Sequence, residues 1–185
     1  MTRIALTVAA AVATLAAPVA AGPSSQPWQR LHRPLHLPSW KPGLTCPRTP
    51  GRPANSFSPY GSAYALGRGP VYPLVAVDGF NPNVAGGAIS FVRNVSGWDG
   101  TGFKVLWISS PAYNGPILVR GARLDKQPLL RFSGFGKELR LRAARGWNEG
   151  WRDYPSESYV RRPGCYGYQL DGLTFSRVIV FRVAR

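Results

Sequence analysis

The sequence predicts an all-β protein, an antiparallel sandwich or barrel that follows a proline-rich extended segment. From about Tyr60, short apolar runs are separated by Gly, Pro, Asn and Asp, no stretch has a convincing helical period, and residues 22–59 contain nine prolines. Short strands at this spacing are typical of sandwiches and barrels. We therefore divide the chain into a signal peptide (1–21), a basic, largely disordered linker (22–59) and a β domain (60–185).

Each predicted strand is a short apolar run that ends at turn residues. These runs are Val71 to Val77, Ala88 to Val92, Lys104 to Ser109, Ile117 to Leu124, Leu129 to Phe132 and Leu139 to Arg142. A terminal hairpin follows, in which Tyr166 to Leu170 and Leu173 to Val183 flank Asp171-Gly172, a dipeptide suited to a type I′ turn. The Trp-, Tyr- and Arg-rich stretch before this hairpin is predicted to be a loop.

The first 21 residues have the pattern of an export signal. Arg3 gives a short positive start, Ile4 to Leu15 is an apolar run, and small residues form a cleavage site near Ala21. A transmembrane anchor is the alternative, but a span needs about 20 apolar residues, and this segment contains Thr7 and Pro18. We therefore expect a secreted, extracellular protein.

The chain contains two cysteines, Cys46 and Cys165. Two cysteines in an exported chain most often pair, so we predict a disulfide between them. Loop-entropy arguments give such a bridge about 4–5 kcal/mol of stabilisation, less any strain. Two free thiols, or cross-links to other chains, are the alternatives.

Positive charge dominates the mature sequence. Without Arg3, 22 basic residues remain against eight acidic ones, a formal net charge of +14, and 18 of the 22 are arginine. A charge of this size attracts phospholipid head groups, wall polymers, acidic glycans or nucleic acid. GC-rich coding explains the excess of Arg over Lys but not the shortage of acids. The expected partner is an anionic cell-envelope polymer, a membrane surface or an envelope protein, and not nucleic acid in vivo.

Both histidines lie in the proline-rich segment. His32 and His36 have the spacing of a helical metal pair, but Pro34 between them interrupts a helix. We predict no metal site and no cofactor. The apolar residues of the same segment either touch a membrane surface or lie along the β domain; they are Trp28, Leu31, Leu35, Leu37 and Trp40.

Several short motifs follow one another in the last third of the chain. They are Gly146-Trp147, Gly150-Trp151-Arg152, Tyr154-Pro155-Ser156, Pro163-Gly164-Cys165-Tyr166, Gln169-Leu170-Asp171-Gly172 and Phe175 to Phe181. This order resembles that of uncharacterised secreted bacterial proteins of the actinobacterial type, whose terminal strands look immunoglobulin-like. The resemblance covers residues 60–183 and implies an immunoglobulin-like β-sandwich and secretion, but no activity. The Cys…Trp…Cys core spacing of antibody domains is missing.

The usual catalytic motifs are missing from the sequence. The predicted β domain contains no histidine, and the chain has no G-x-S-x-G, S-x-x-K or Walker loop. One acidic group remains, formed by Glu149, Asp153 and Glu157. Two carboxylates about 5–10 Å apart can perform glycoside hydrolysis, but the arginines interleaved with these acids favour solvated ion pairs. We predict that the protein is not an enzyme.

Basic and aromatic residues cluster before the terminal hairpin. In Leu139 to Arg142 the leucines and arginines fall on opposite faces of a strand. Arginine beside an exposed ring suits recognition of phosphate, sulfate or carboxylate groups, with the ring stacked on a sugar or base. The predicted binding residues are Arg140, Arg142, Arg145, Trp147 and Trp151. Alternatively, the Trp side chains fill one end of the sandwich and the arginines are ordinary solvated charges.

The sequence narrows the class of function without specifying one. We expect a secreted, non-catalytic binding or accessory domain that engages an anionic envelope component or an envelope protein. Two alternatives remain open: a wall-glycan hydrolase that uses the loop carboxylates, and a domain that inhibits or shields a partner enzyme.

Overall fold

The computed structural model describes residues 26–61, 63–75, 89–90, 93–94, 96–125 and 128–184. The predicted signal peptide lies outside the described residues, as do parts of two predicted strands. The elements are α1 (Gln26–Leu31), β1 (Gly51–Pro53), β2 (Tyr64–Leu66), β3 (Val71–Val75), β4 (Ile89–Ser90), β5 (Arg93–Asn94), β6 (Thr101–Ser109), β7 (Ile117–Arg123), β8 (Arg131–Phe132), β9 (Leu139–Leu141), β10 (Arg152–Val160), β11 (Gly164–Gly172) and β12 (Ser176–Ala184), with 3-10 turns at Ala54–Ser56 and Ser133–Phe135.

Two sheets pack face to face as a β-sandwich, which confirms the predicted fold class. Sheet A has the order β1-β2-β3-β6-β10-β8, and β5 also pairs with β6; sheet B has the order β4-β12-β11-β7-β9. The pairings among the described strands are antiparallel except for the short parallel pairing of β12 with β4.

Six strands are relevant to the immunoglobulin-like topology that the resemblance implies. The neighbours β3-β6-β10 and β12-β11-β7 follow the A-B-E and G-F-C orders of an immunoglobulin sandwich. The remaining strands depart from that pattern, because β8, which pairs with β10, precedes β9, which pairs with β7. The sandwich is therefore established, whereas its immunoglobulin-like character stays a prediction.

Trp107 of β6 and Tyr168 of β11 form the centre of the core between the sheets. Both are fully buried, and their ring centroids lie 5.1 Å apart in an edge-to-face arrangement. Such aromatic pairs contribute about 0.5–1.5 kcal/mol beyond the burial of their surface. Trp107 Nε1 donates to Ser156 Oγ at 2.8 Å, and Tyr168 Oη donates to Ser158 Oγ at 2.8 Å. Strand β10 therefore satisfies the polar atoms of both rings.

Strand β10 runs through the region predicted to be a loop, so that prediction is wrong. It pairs with β6 along its whole length. The strand lacks an apolar alternation because two of its inward-facing residues are Ser156 and Ser158. Pro155 is tolerated because β10 has a second described neighbour only at Ser158 and Tyr159, which leaves one side of the strand open at the proline.

The turn of the terminal hairpin lies later in the sequence than predicted. Asp171 pairs with Ser176 across the hairpin, so Asp171 and Gly172 end β11, and neither has the positive φ of a type I′ turn. Gly172 is required for packing instead, because an added Cβ would lie 2.3 Å from a ring carbon of Phe175. The apolar alternation located the two strands, whereas the connection follows the packing of Phe175.

Residues 26–50, which we call the strap, lie across the outer face of sheet B. Helix α1 ends at Leu31, which is fully buried. Further along, the Trp40 amide donates to the Leu124 carbonyl at 3.3 Å, and the Thr49 amide donates to the Val180 carbonyl at 2.8 Å. The apolar residues of the strap thus lie along the domain, which was one of the two alternatives.

The strap corrects the prediction of a largely disordered linker over residues 22–59. Prolines prevent regular structure there, but they leave backbone groups that bond to side chains of sheet B. The His36 amide donates to Gln169 Oε1 at 2.7 Å, and Gln169 Nε2 donates to the Pro34 carbonyl at 2.9 Å. After the strap the chain forms β1, so the predicted linker also supplies a strand to sheet A.

The carboxylate of Asp171 is fully buried beneath the strap. It accepts hydrogen bonds from Arg120 Nη2 at 2.8 Å, from Gln169 Nε2 at 2.9 and 3.2 Å, and from Ser176 Oγ at 2.7 Å. Arg33 of the strap lies 3.6 Å away, and its carbonyl accepts from Arg120. Because an unpaired buried charge is strongly destabilising, this cluster fixes the strap on sheet B.

The predicted disulfide is confirmed. Cys46 of the strap and Cys165 of β11 are bonded, with their Cα atoms 5.6 Å apart at a sequence separation of 119. Both are buried beside Leu124 and Val180 on the outer face of sheet B. The bond is consistent with an oxidising, extracellular location. Within the described ranges, no helix is long and apolar enough to span a membrane.

We expect Asp171→Asn to destabilise the fold by about 3–5 kcal/mol, because it leaves buried arginine charge without a carboxylate. The matched control is Asp99→Asn, since Asp99 pairs with Arg161 but has 95% of its side chain exposed. That change should leave the urea unfolding curve nearly unchanged. Equal, small losses in the two variants would contradict the role of Asp171 as an anchor.

We expect replacement of both cysteines, Cys46→Ser with Cys165→Ser, to lower the free energy of unfolding by up to about 4–5 kcal/mol. The physical reason is that the unfolded chain regains the freedom that a long covalent loop removes. Thermal unfolding with and without a reducing agent measures the effect: the reductant should lower the wild-type midpoint and leave the double variant unchanged. Two reactive sulfhydryls per native chain in a thiol titration would contradict the bridge.

Candidate anionic-ligand site

Residues 142–147, which we call the basic loop, connect sheet B to sheet A. Strand β9 ends at Leu141, which is buried, and the loop then passes around the end of the sandwich to a tight turn before β10. Arg142, Arg145 and Trp147 are exposed. Three of the five predicted binding residues therefore lie in one short exposed segment.

The first end of the basic loop is fixed to β10. The Arg142 carbonyl accepts from Tyr154 Oη at 2.6 Å and from Arg152 Nη1 at 3.5 Å. Burial raises the pKa of Tyr154 above its ordinary value, so its hydroxyl keeps the proton that it donates. The side chain of Arg142 takes no part in these bonds and extends into solvent.

The second end of the basic loop is fixed at Trp147. Its amide donates to the Trp151 carbonyl at 3.0 Å, and its indole Nε1 donates to Asp153 Oδ1 at 2.7 Å. The turn between these residues is tight, with positive φ angles of 50° at Glu149 and 80° at Gly150. Since both ends of the loop are anchored, its backbone and the Trp147 indole are held in a defined place.

Trp147 exposes 71% of its surface, more than any other large apolar side chain in the described part of the chain. Burial of a ring of this size would be favourable, and the hydrogen bond to Asp153 nevertheless holds the indole at the surface. Because binding costs less free energy when the contacting side chain is already ordered, a fixed and exposed ring is suited to stacking on a ligand.

Trp151, predicted as a second ring of the site, is buried, which corrects that part of the prediction. It exposes 8% of its surface and packs on the outer face of sheet A, with its ring centroid 5.9 Å from that of Phe57 and 6.4 Å from that of Tyr72. The cause is the apolar surface that these residues offer beside β10. Trp151 thus has a packing role, as the alternative expected of the tryptophans, but on the outer face of sheet A and not at one end of the sandwich; Trp147 does not.

Arg140 faces outward, as the strand alternation predicted, but it is engaged with the strap. Its Nη2 donates to Glu138 Oε2 at 3.2 Å, and its guanidinium carbon lies 5.6 Å from the ring centroid of Trp28. His32 pairs with the same glutamate. The structure therefore places Arg140 beside α1. Of the three predicted arginines, Arg142 and Arg145 of the basic loop remain available to a ligand.

Arg142 and Arg145 carry the uncompensated charge of the site. In the part of the chain that the structure describes, neither guanidinium has a carboxylate within 4 Å. Exposed charges act over about 8 Å at physiological ionic strength, so two arginines three residues apart reinforce each other's attraction for an anion.

Arg152 is one of the arginines interleaved with the loop acids, for which the sequence favoured solvated ion pairs, whereas the structure buries it. Its guanidinium donates to the carbonyls of Tyr113 at 2.6 Å and of Asn114 and Gly115 at 3.2 Å. No carboxylate lies within 4 Å of this guanidinium among the described residues. Arg152 supports the basic loop from beneath and is not available to a ligand. Nothing in the local sequence distinguishes it from the exposed arginines nearby.

Two of the three acids in the hydrolase alternative lie far apart. Asp153 and Glu157 extend from the outer face of β10 and are separated by about 13 Å at the rise of a strand. That exceeds the separation of about 5–10 Å that two-carboxylate glycoside hydrolysis uses. Asp153 binds the Trp147 indole, and Glu157 accepts a hydrogen bond from Tyr159. Across the described ranges, no group of three or more His, Cys, Asp or Glu residues can hold a metal ion.

We expect the contact between α1 and β9 to weaken at acid pH through Glu138. Burial raises the pKa of this carboxyl, but the hydrogen bonds from His32 and Arg140 outweigh burial, and the net pKa is lowered from 4.5. A lowered pKa in the folded state stabilises the fold above the unfolded value, and that contribution is lost as the pH falls through the folded value.

Glu138→Gln should therefore be less stable than the wild type at about pH 6, and the two should converge at about pH 3. Thermal unfolding of both proteins across this range measures the difference. A difference that does not change with pH would contradict the assignment.

Comparison of the chain with protein-family models, with curated proteins and with solved structures finds no match. The candidate function therefore depends on the chain's own geometry: one exposed and anchored indole, and, in the same loop, two arginines that have no acidic partner among the described residues.

Proposed function

We propose that the protein is a secreted, non-catalytic binding domain that engages an anionic component of the cell envelope through the basic loop. The observation that carries this proposal is Trp147, a ring that is 71% exposed and fixed by Asp153, two residues after Arg145. A hydrogen bond from the indole N–H leaves the aromatic face open.

The chemistry of the loop favours an anion that is attached to a ring. An arginine presents a planar fork of donors that matches carboxylate, phosphate and sulfate groups, and an indole stacks on the apolar face of a sugar. Without the predicted signal peptide the chain has a formal net charge of +14, which adds a long-range attraction and raises the rate of encounter with a polyanion.

The proposed location and the proposed class of activity are supported by separate observations. The predicted export signal and the disulfide both favour an oxidising compartment outside the cytoplasm, where envelope polymers are available. The separation of Asp153 and Glu157 does not suit the hydrolase alternative. No observation favours the inhibitor alternative, so binding is the function that the geometry supports best.

We expect the double variant Arg142→Gln with Arg145→Gln to bind a soluble polyanion such as polygalacturonate about tenfold more weakly, because two charge-assisted contacts are lost. The matched control is Arg68→Gln with Arg182→Gln, which removes the same charge from two other exposed positions. Binding isotherms at low and high salt measure both. Arg33 does not serve as a control, because it contacts Asp171.

Equal losses in the two double variants would mean that only the total charge matters, and the site assignment would be wrong. The Trp147→Ala variant tests the contribution of the indole ring separately. Its loss of affinity should change little with salt, since stacking depends less on ionic strength than charge pairing does. Full affinity in Trp147→Ala would remove the ring from the site.

A further inference from the structure

A second cation lies on the outer face of sheet A beyond Trp147. Arg52 of β1 is exposed. Its guanidinium carbon lies 3.7 Å from the ring centroid of Phe57, and its Nη2 donates to Tyr72 Oη at 3.3 Å. No carboxylate pairs with it among the described residues.

The stacked geometry prepares Arg52 for an anion. A guanidinium that lies over an aromatic ring is attracted by the ring's negative face, and the N–H groups that do not bond to Tyr72 can donate to an anion. Because Phe57 and Tyr72 order the side chain before binding, less conformational entropy is lost when a ligand arrives. Arg68, also exposed and near in sequence, has no such aromatic contact among the described residues.

Arg52 and Trp147 belong to one continuous surface. The Trp147 amide bonds to the Trp151 carbonyl, the Trp151 ring lies 5.9 Å from that of Phe57, and Phe57 carries Arg52. The Trp151 and Phe57 rings pack in one cluster on the outer face of sheet A, and the Trp147 indole bonds to Asp153, which extends from the same face of β10. Because these two rings lie between Trp147 and Arg52, we expect a ligand that contacts both ends to be longer than a single sugar.

Between the two ends the surface is formed by neutral side chains. Tyr60 packs in the same cluster as Trp151. Burial and the nearby Asp153 carboxylate raise the pKa of the Tyr60 hydroxyl, which keeps it protonated. The carboxylate of Asp153 already accepts the Trp147 indole N–H. An anionic chain that crosses from Trp147 to Arg52 therefore meets the edges of uncharged rings, among them those of Phe57 and Tyr60.

We propose that the outer face of sheet A from Trp147 to Arg52 is one binding surface, and that its ligand is an extended acidic glycan of more than one sugar. Arg52, held by Phe57, is the second anion subsite, and the basic loop is the first. This inference rests on the proposed function and adds the ligand's class and length. A lipid surface would require a patch of apolar side chains for insertion, whereas this face offers arginine edges and one exposed ring.

The test uses the full mature protein with a length series of oligogalacturonates, a sulfated dextran and neutral dextran as probes. Arg52→Gln should weaken binding of long oligogalacturonates and of sulfated dextran about three- to tenfold, the effect of one charged contact. It should leave binding of the shortest oligomers unchanged, because these fill only the subsite at the basic loop. Arg68→Gln, the matched control, should change neither, and neutral dextran should bind no variant tightly.

Two further measurements keep the outcome clear. Arg52→Lys retains the charge but not the planar fork, so its affinity for long oligomers should lie between those of the wild type and Arg52→Gln. Melting temperatures equal to that of the wild type show that any loss is not caused by unfolding. A loss for Arg68→Gln as large as that for Arg52→Gln, or a loss that is the same at every oligomer length, would overturn the second subsite.

The two proposals fail in different ways. If the double variant at Arg142 and Arg145 loses affinity while Arg52→Gln binds long oligomers as the wild type does, this inference is wrong and the proposed function stands. If the wild type binds no polyanion, both are wrong. If single-stranded DNA of matched charge binds as tightly as the glycans and with the same dependence on Arg52, the assignment to glycans is overturned.

Discussion

The buried carboxylate of Asp171 is the constraint on which the outer face of sheet B depends. A charge in that position requires donors on all sides, and it obtains them from Arg120 on β7, Gln169 and Ser176 on the hairpin, and Arg33 on the strap. One side chain thus joins three strands to a segment that has almost no regular structure. The disulfide at Cys165 holds the same segment nearer its other end.

The candidate site depends on a different use of buried polar groups. Arg152 and Tyr154 on β10 both donate to the Arg142 carbonyl, in the chain that leaves sheet B, and these bonds replace the regular pairing that a loop lacks. Their neighbour Asp153 faces the other side and holds the Trp147 indole. Three consecutive residues of one strand therefore position the exposed ring and the arginines beside it, so the site is built on a rigid element although its ligand-facing residues lie in a loop.

The local sequence pattern predicted the strands whose apolar residues alternate and face the core. It failed for strands in which polar residues face the core. Strand β10 was missed because Ser156 is a hydrogen-bond partner for a buried indole, a role that its sequence position does not reveal. Trp147 and Trp151 are equivalent by sequence, and their different exposure depends on Phe57, which lies far away in the chain. The strap is held by backbone bonds and by side chains of sheet B, so its own composition could not predict its order.

The long reach of the strap has a consequence for the order of assembly. Its partners Gln169, Asp171 and Cys165 belong to β11, which is synthesised after almost all the rest of the chain, and contacts of such high sequence separation slow folding. Until the terminal hairpin arrives, the strap has no carboxylate to pair with, no thiol to oxidise with and no surface for its leucines. The N-terminal part of the chain therefore stays unpaired until β11 and β12 are present, and unpaired strand edges can associate with those of other chains. The last strands to emerge close the molecule.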